Sequence, residues 1–246
     1  MFCLPFYFER IYMPYRRLPN TDSARIKALK TAINKCSDTD FNDVVVSMKT
    51  LYRAKNAVGK FERMCNLYNQ TLETQVRANI SFQKQIRNAR MYLSHFVQVL
   101  NLSVIRSEIK DHNLSLYGLE NSELLVPDLS TNELILDWGH KIIIGEERRI
   151  AEGGVPIYNP TIAKVKVMYS IFKDAYQTQK IHQKATNRTQ ADVVDFRTQI
   201  DEIILDIWEQ VEEANIDLTA KKKIDKNREY GIVYYYRKGE KIDNAN

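Results

Sequence analysis

The chain has 246 residues, 44% hydrophobic and 27% charged, which is typical of a soluble globular protein with one large domain or two small ones. It contains 8 Gly and 6 Pro, about half of the usual usage, so turns should be few. This composition argues against a β-sandwich or a doubly wound α/β fold and predicts long helices.

The net charge of +5 is uneven, because residues 1–37 carry +5, residues 219–246 carry +4, and the residues between them carry −4. Basic ends indicate either contact with an acidic partner or nucleic acid, or simple solubility with pairing onto acidic helix faces. A pI of about 8.9 favours the second explanation, because nucleic-acid-binding domains usually exceed a pI of about 9.

The first 20 residues are predicted to form an extended N-terminal segment. Its apolar start lacks an early basic region and a cleavage site, and it is too short to cross a membrane, so we expect neither a signal peptide nor a membrane span. Met13 is an alternative natural start to Met1. Three Cys without a CxxC pair favour a reducing, cytoplasmic location.

The first half of the chain predicts three helices. Apolar spacing places one helix from Thr21 to about Cys36, with Thr21 or Asp22 as its cap, and a second from about Phe41 to Leu72. A turn is expected in the polar stretch 74–81, followed by a third helix with apolar positions from Ile86 to Val104.

Residues 111–130 form a predicted long loop without clear periodicity. A loop of this length often carries function. The alternative is a connection that crosses the bundle on its own apolar anchors, which would be Leu116, Leu119 and Leu124–Leu125.

The second half predicts three further helices. A capping box formed by Ser130 and Glu133 begins a helix that Gly153-Gly154 ends, and Asn159 with Pro160 begins the next. A new cap at Thr189 and Asp192 is expected to begin the last helix, so that this pair forms an αα-hairpin.

The basic tail, residues 219–246, combines a charged linker with a strand over residues 230–238, rich in aromatic and β-branched residues. A lone strand needs a backbone partner, and the aromatic N-terminus around Phe6 to Tyr12 is the predicted one. The predicted fold is therefore mainly α: a bundle, over residues 21–218, of two αα-hairpin units with a small β element.

Two short stretches, NTDSARIK (Asn20 to Lys27) and NPTIAKVK (Asn159 to Lys166), resemble each other. Both are predicted helix starts, in which the Asn and its neighbours fit helix caps. They suggest an internal duplication of residues 20–110 and 157–218, with chance similarity between helical sequences as the alternative.

Motifs for catalysis or cofactors are absent from the sequence: GxGxxG, GxxxxGK[ST], GxSxG and HExxH do not occur. A di-metal site needs Glu-x-x-His on two helices, and only His140 has an acidic residue, Asp137, three positions earlier. Cys65 lies on an apolar helix face and is a predicted core residue. We therefore expect no enzyme activity, catalytic residue, cofactor or metal.

Four segments carry a family resemblance: Tyr15 to Leu29, Asp137 to Ile143, Ile157 to Val167 and Tyr230 to Glu240. In these segments the chain resembles a bacterial helical-bundle family of the kind found in Bacteroides-like organisms. The resemblance implies a bacterial source and a helical fold, and it carries no activity or functional residue.

The sequence thus favours a non-catalytic scaffold for protein–protein assembly, with a protein partner or self-association. The alternatives are a nucleic-acid-associated protein that uses the basic terminal segments, including Lys221–Lys223, and a ligand- or metal-binding bundle. The predicted interaction surface consists of Arg16, Arg17, Tyr234, Tyr235, Tyr236, Arg237 and Lys238.

Overall fold

The structure, a computed structural model, describes residues 14–236 and confirms a mainly helical fold with long packed helices and a small β element. Short 3-10 helices occupy Phe41–Asp43 and Asp111–Tyr117. The other elements are β1 (Tyr15–Arg16), α1 (Asp22–Asp38), α2 (Met48–Ile105), α3 (Asn132–Ala151), α4 (Ile162–Ala214), α5 (Ala220–Glu229) and β2 (Tyr234–Tyr235).

The chain forms two compact units. Unit 1 comprises residues 1–69 and 188–246, and unit 2 comprises residues 70–187. Both long helices, α2 and α4, contribute residues to both units, so unit 1 is built from segments far apart in sequence.

The core of unit 1 is formed by the apolar faces of α1, α2 and α4, with Ile232 next to β2 also buried. Burial of this apolar area is the main stabilising term of the unit. Its largest fully buried side chains are Leu29, Phe61, Ile200 and Trp208.

The core of unit 2 joins α3 to parts of α2 and α4 and to the connection that precedes α3. Gly145 allows α3 to pack closely on the 3-10 helix Asp111–Tyr117. A Cβ atom at residue 145 would lie 2.6 Å from Cδ1 of Tyr117 and 2.7 Å from the carbonyl oxygen of Leu116.

The turn expected at residues 74–81 is wrong, because α2 continues through it without interruption. The stretch contains no Gly or Pro, and polar side chains in it bond to the preceding turn of the same helix. The Thr74 hydroxyl donates to the carbonyl of Gln70, and Arg77 pairs with Glu73 one turn away. The polar stretch 74–81 is therefore a mostly exposed part of α2 and not a turn.

The new cap expected at Thr189 and Asp192 is also wrong, because α4 is one helix from Ile162 to Ala214. Within it, the hydroxyls of Thr178 and Thr186 donate to carbonyls four residues earlier.

The prediction of a charged linker in the basic tail is wrong as well. Ala220–Glu229 forms α5, which is held to unit 1 by the buried side chains of Ile224 and Asn227.

The starts of α2 and α3 differ from prediction by one or more residues. Helix α2 begins at Met48 and not at Phe41, after Ser47, whose hydroxyl accepts from the amide of Thr50 at 3.3 Å. Helix α3 is capped by Thr131 and not by Ser130, because Thr131 accepts from the amide of Leu134. The Glu133 side chain accepts instead from the hydroxyl of Tyr176.

The two similar stretches begin helices, but neither Asn is the cap. Thr21 caps α1, accepting from the amide of Ala24, and Thr161 accepts from the amide of Lys164 at the start of α4. In the alignment of the two stretches, these threonines differ by one position. Equivalent residues therefore occupy different helical positions, and the internal duplication stays a prediction.

The long connection before α3 packs on the core of unit 2. Leu119 is buried, and Leu116 and Leu124 are partly buried, as the anchor hypothesis predicts. Leu125 is wrong as an anchor, since 64% of it is exposed.

The predicted pairing of the C-terminal strand with the N-terminal region is confirmed. β1 and β2 are antiparallel, with Tyr15 opposite Tyr235 and Arg16 opposite Tyr234. The stretch named as the expected partner, residues 6–12, lies outside the described residues. Of the predicted strand residues that the structure describes, 230–236, only Tyr234–Tyr235 form β2, and Gly231 adopts a turn conformation with φ of 81°.

Among residues 14–236, no helix combines the length and the apolar character that crossing a membrane requires.

Candidate functional site

Arg16, predicted as part of an interaction surface, is bound within unit 1. Its guanidinium Nη1 lies 2.9 Å from Glu212 and Nη2 lies 3.2 Å from Glu209, both on α4. This contact pairs a basic end with an acidic helix face. Arg16 thus connects β1 to α4.

Tyr234 has a similar internal role. Its hydroxyl donates to Glu212 at 2.7 Å and accepts from Nδ2 of Asn227 at 2.7 Å. Asn227 is fully buried and also accepts from Asn215 at 2.9 Å. Burial is the main reason that the pKa of Tyr234 rises to about 12; the Asn227 hydrogen bond lowers it and that of Glu212 raises it.

The other predicted surface residues differ in exposure. Arg17 and Tyr235 are exposed and Tyr236 is half-buried, in agreement with side chains that alternate between two faces along an extended segment. Arg237 and Lys238 lie outside the described residues.

Arg17, Tyr234 and Tyr235 contribute to one depression of unit 1, which we call the terminal groove. Its volume is about 620 Å³. One side of α1 lines it, through Ala24, Lys27, Ala28 and Thr31, together with residues 17–21, Arg228 and residues 231–235. Lys27 and Arg228 were missed by the sequence analysis, because nothing in the sequence indicates that α1 and the end of α5 lie together.

The charged side chains described in the lining of the terminal groove are all positive. Arg17, Lys27 and Arg228 line the groove, and the described residues of its lining include no Asp or Glu. Among the described residues, Arg17 and Lys27 have no ion-pair partner, while Arg228 lies 3.8 Å from exposed Asp225. The groove therefore offers three cations to an anionic ligand.

A second depression lies in unit 2, where α2 and α3 end. We call it the α2–α3 cavity; its volume is about 900 Å³, and it is lined by residues from Val99 to Asn113 and from Arg149 to Asn159. Only His112 and Asn113 of the long loop line it.

A buried polar network lies beside this cavity. Arg149 donates from Nε and Nη2 to the two carboxylate oxygens of Glu146, at 3.0 and 2.9 Å, and the Tyr117 hydroxyl also donates to Glu146. The amide of Ile157 donates to Glu146 at 3.2 Å, and Arg149 reaches the carbonyl of Val155. The network fixes residues 155–157 against α3. Burial, followed by the hydrogen bond to Glu146, raises the pKa of Tyr117.

The described cysteines are poor nucleophiles. Cys36 and Cys65 both belong to the core region of unit 1, and burial raises the pKa of both thiols, so less thiolate is present at neutral pH. Asp137, the acidic residue three positions before His140, pairs with Lys141 at 2.7 Å. Within residues 14–236, no group of three or more His, Cys, Asp or Glu side chains could hold a metal ion.

Comparison with known proteins gives no match: no family model, no curated protein and no solved structure is similar enough to this chain. We therefore infer function from the terminal groove and the α2–α3 cavity.

Proposed function

We propose that the protein is a non-catalytic interaction protein that binds a short acidic segment of a partner protein in the terminal groove. The observation that carries the proposal is the charge of the groove. Three cationic side chains line a volume of about 620 Å³, and its described lining residues include no carboxylate, so an anionic segment would be attracted to it.

The chemical groups of the groove favour binding over catalysis. The lining supplies ammonium and guanidinium groups, hydroxyls and the Asn20 amide, and it includes no His, Cys, Asp or Glu. Such groups hold carboxylates through charge-assisted hydrogen bonds but supply no general base at neutral pH.

The surroundings of the groove favour a protein partner over nucleic acid. A nucleic acid needs a continuous basic surface that neutralises several phosphates. Here neighbouring cations are already paired: Arg16 with Glu209 and Glu212, and Lys35 with Glu229 at 2.6 Å. These pairs reduce the positive charge available to a nucleic acid beside the groove, although Lys221, Lys222 and Lys226 of α5 are exposed. The size of the groove suits a short acidic segment.

Fluorescence anisotropy with three labelled probes tests the proposal on the full chain. The probes are an Asp/Glu-rich octapeptide, its Asn/Gln counterpart, and a single-stranded oligonucleotide of equal charge. We expect the acidic peptide to bind best, and R17E/K27E to weaken its binding by about tenfold or more.

The matched control is K84E/K184E, which makes the same charge change at two exposed lysines of unit 2. This control should bind the acidic peptide within about twofold of the wild type. Equal weakening by both variants would show unspecific charge attraction. Tighter binding of the oligonucleotide would favour the nucleic-acid alternative, and both results contradict the proposal.

A further inference from the structure

The α2–α3 cavity of unit 2 has the size of a small-molecule site. Its volume of about 900 Å³ lies within the usual range for ligand pockets. Its walls are the last turns of α2 and α3 and the two segments that follow these helices.

A buried arginine lines this cavity. Only 4% of Arg149 is exposed, and its Nε and Nη2 are bonded to Glu146, Tyr117 and the Val155 carbonyl. Within the part of the chain that the structure describes, Nη1 has no hydrogen-bond partner. A guanidinium group held rigidly on one side, with two N–H donors left on the other, is well suited to bind an anionic group.

Gly154 keeps space beside this nitrogen. A Cβ atom at residue 154 would lie 2.7 Å from Nη1 of Arg149, and Gly154 itself lines the cavity. The absence of a side chain therefore leaves Nη1 close to the cavity.

The charges around the cavity limit the kind of anion. Arg106 and Lys110 line it and are exposed, and they would attract an anion. Glu108 and Glu152 also line it and would repel a polyanion. A ligand with one carboxylate or one phosphate fits this balance better than a nucleic acid or a polyphosphate.

We propose that the α2–α3 cavity binds a small polar molecule through one carboxylate or phosphate group, which Nη1 of Arg149 holds with help from Arg106 and Lys110. This site lies within unit 2 and is independent of the terminal groove in unit 1.

Nuclear magnetic resonance of the full, isotope-labelled chain tests the site with inorganic phosphate and with acetate, at constant ionic strength. The signals followed are the amides of Gly153 and Gly154 and the guanidinium N–H groups of Arg149. We expect saturable shifts of these signals with a Kd in the millimolar range for at least one anion; the tighter anion identifies the chemical class.

Two variants complete the test. R106Q/K110Q should weaken binding about fivefold or more, whereas K173Q/K184Q, which removes two charges elsewhere in unit 2, should leave binding unchanged. The absence of saturable shifts up to about 50 mM of either anion would overturn the proposal, since an anion site of this kind binds in the millimolar range. Saturable shifts that R106Q/K110Q does not weaken would indicate an adventitious ion only and would overturn it too.

Discussion

At the scale of single residues, Glu146 is the most strongly constrained carboxylate described. It is fully buried, and it accepts hydrogen bonds from Tyr117, Arg149 and the amide of Ile157. A buried ion pair adds little net stability by itself, but removing one partner leaves an uncompensated charge in the interior. Its role is to hold residues 155–157 beside the cavity.

Replacing Glu146 by Gln is expected to lower the free energy of unfolding by about 3–5 kcal/mol, because the Arg149 guanidinium would stay buried without a counter-ion. Urea unfolding followed by circular dichroism measures this loss. Glu147→Gln is the matched control, since Glu147 pairs with Lys166 at a site about half exposed, and the expected loss is below about 1 kcal/mol. Equal losses in the two variants would contradict the structural role of Glu146.

Tyr234 predicts a pH dependence. An unfolded phenol has a pKa of about 10, whereas burial raises the pKa of Tyr234 to about 12 in the folded protein. The folded state therefore holds this proton more tightly, and the corresponding stability is present below pH 10 and lost as pH rises through 12. In Tyr234→Phe, the free energy of unfolding should fall less steeply between about pH 10 and 12 than in the wild type. Equal slopes in urea titrations of both proteins would contradict this assignment.

At the scale of elements, the two long helices explain which sequence predictions failed. Apolar periodicity correctly predicted helical segments within α1 to α4, because the core sets that spacing, but it did not predict α5. It did not predict their continuity through 74–81 and around Thr189, where polar side chains occur together. In the absence of Gly and Pro, a polar stretch is compatible with an exposed helix, and its hydroxyls bond within the helix.

A proline in the middle of α2 tests this continuity. Asn79 is exposed, so Asn79→Pro removes a helical hydrogen bond without changing the core, and we expect a loss of about 3 kcal/mol or more. Asn79→Ala is the control and should be neutral or slightly stabilising in urea unfolding, because Ala favours the helix. A turn at this position would tolerate the proline, and an unchanged unfolding free energy would contradict a continuous α2.

The tail shows what short-range patterns could not predict. The charged segment that follows Thr219 was expected to be a linker, yet it forms α5, because Ile224 and Asn227 lie on one face and are buried. Asn227 then contacts Asn215 and Tyr234, which is a network of residues that no local pattern connects.

At the scale of the whole molecule, composition and apolar periodicity predict the mainly helical fold. The pairing of the C-terminal strand with the N-terminal region could also be predicted, because a lone strand needs a partner for its backbone hydrogen bonds. The candidate sites could be predicted only in part. Arg17 and Tyr235 were expected at a surface, but the partners of Arg17 in the groove, Lys27 and Arg228, come from elements distant in sequence. Arg16 and Tyr234 were expected beside them; both make internal contacts, and Tyr234 also lines the groove.

We propose separate ligands for the two units: an acidic protein segment for the groove of unit 1 and a small anion for the cavity of unit 2. Because each depression lies within one unit, substitutions in one are expected to leave binding at the other unchanged.

A charge swap in the terminal groove is the most direct test of the proposal that this groove binds an acidic segment of a partner protein. The variant R17E/K27E/R228E of the full chain is compared with the wild type for binding of the acidic octapeptide and of a Lys-rich octapeptide of equal length. We expect the variant to bind the acidic peptide at least about tenfold more weakly than the wild type does, and to bind the Lys-rich peptide more tightly. Unchanged affinities of the variant for both peptides would contradict it.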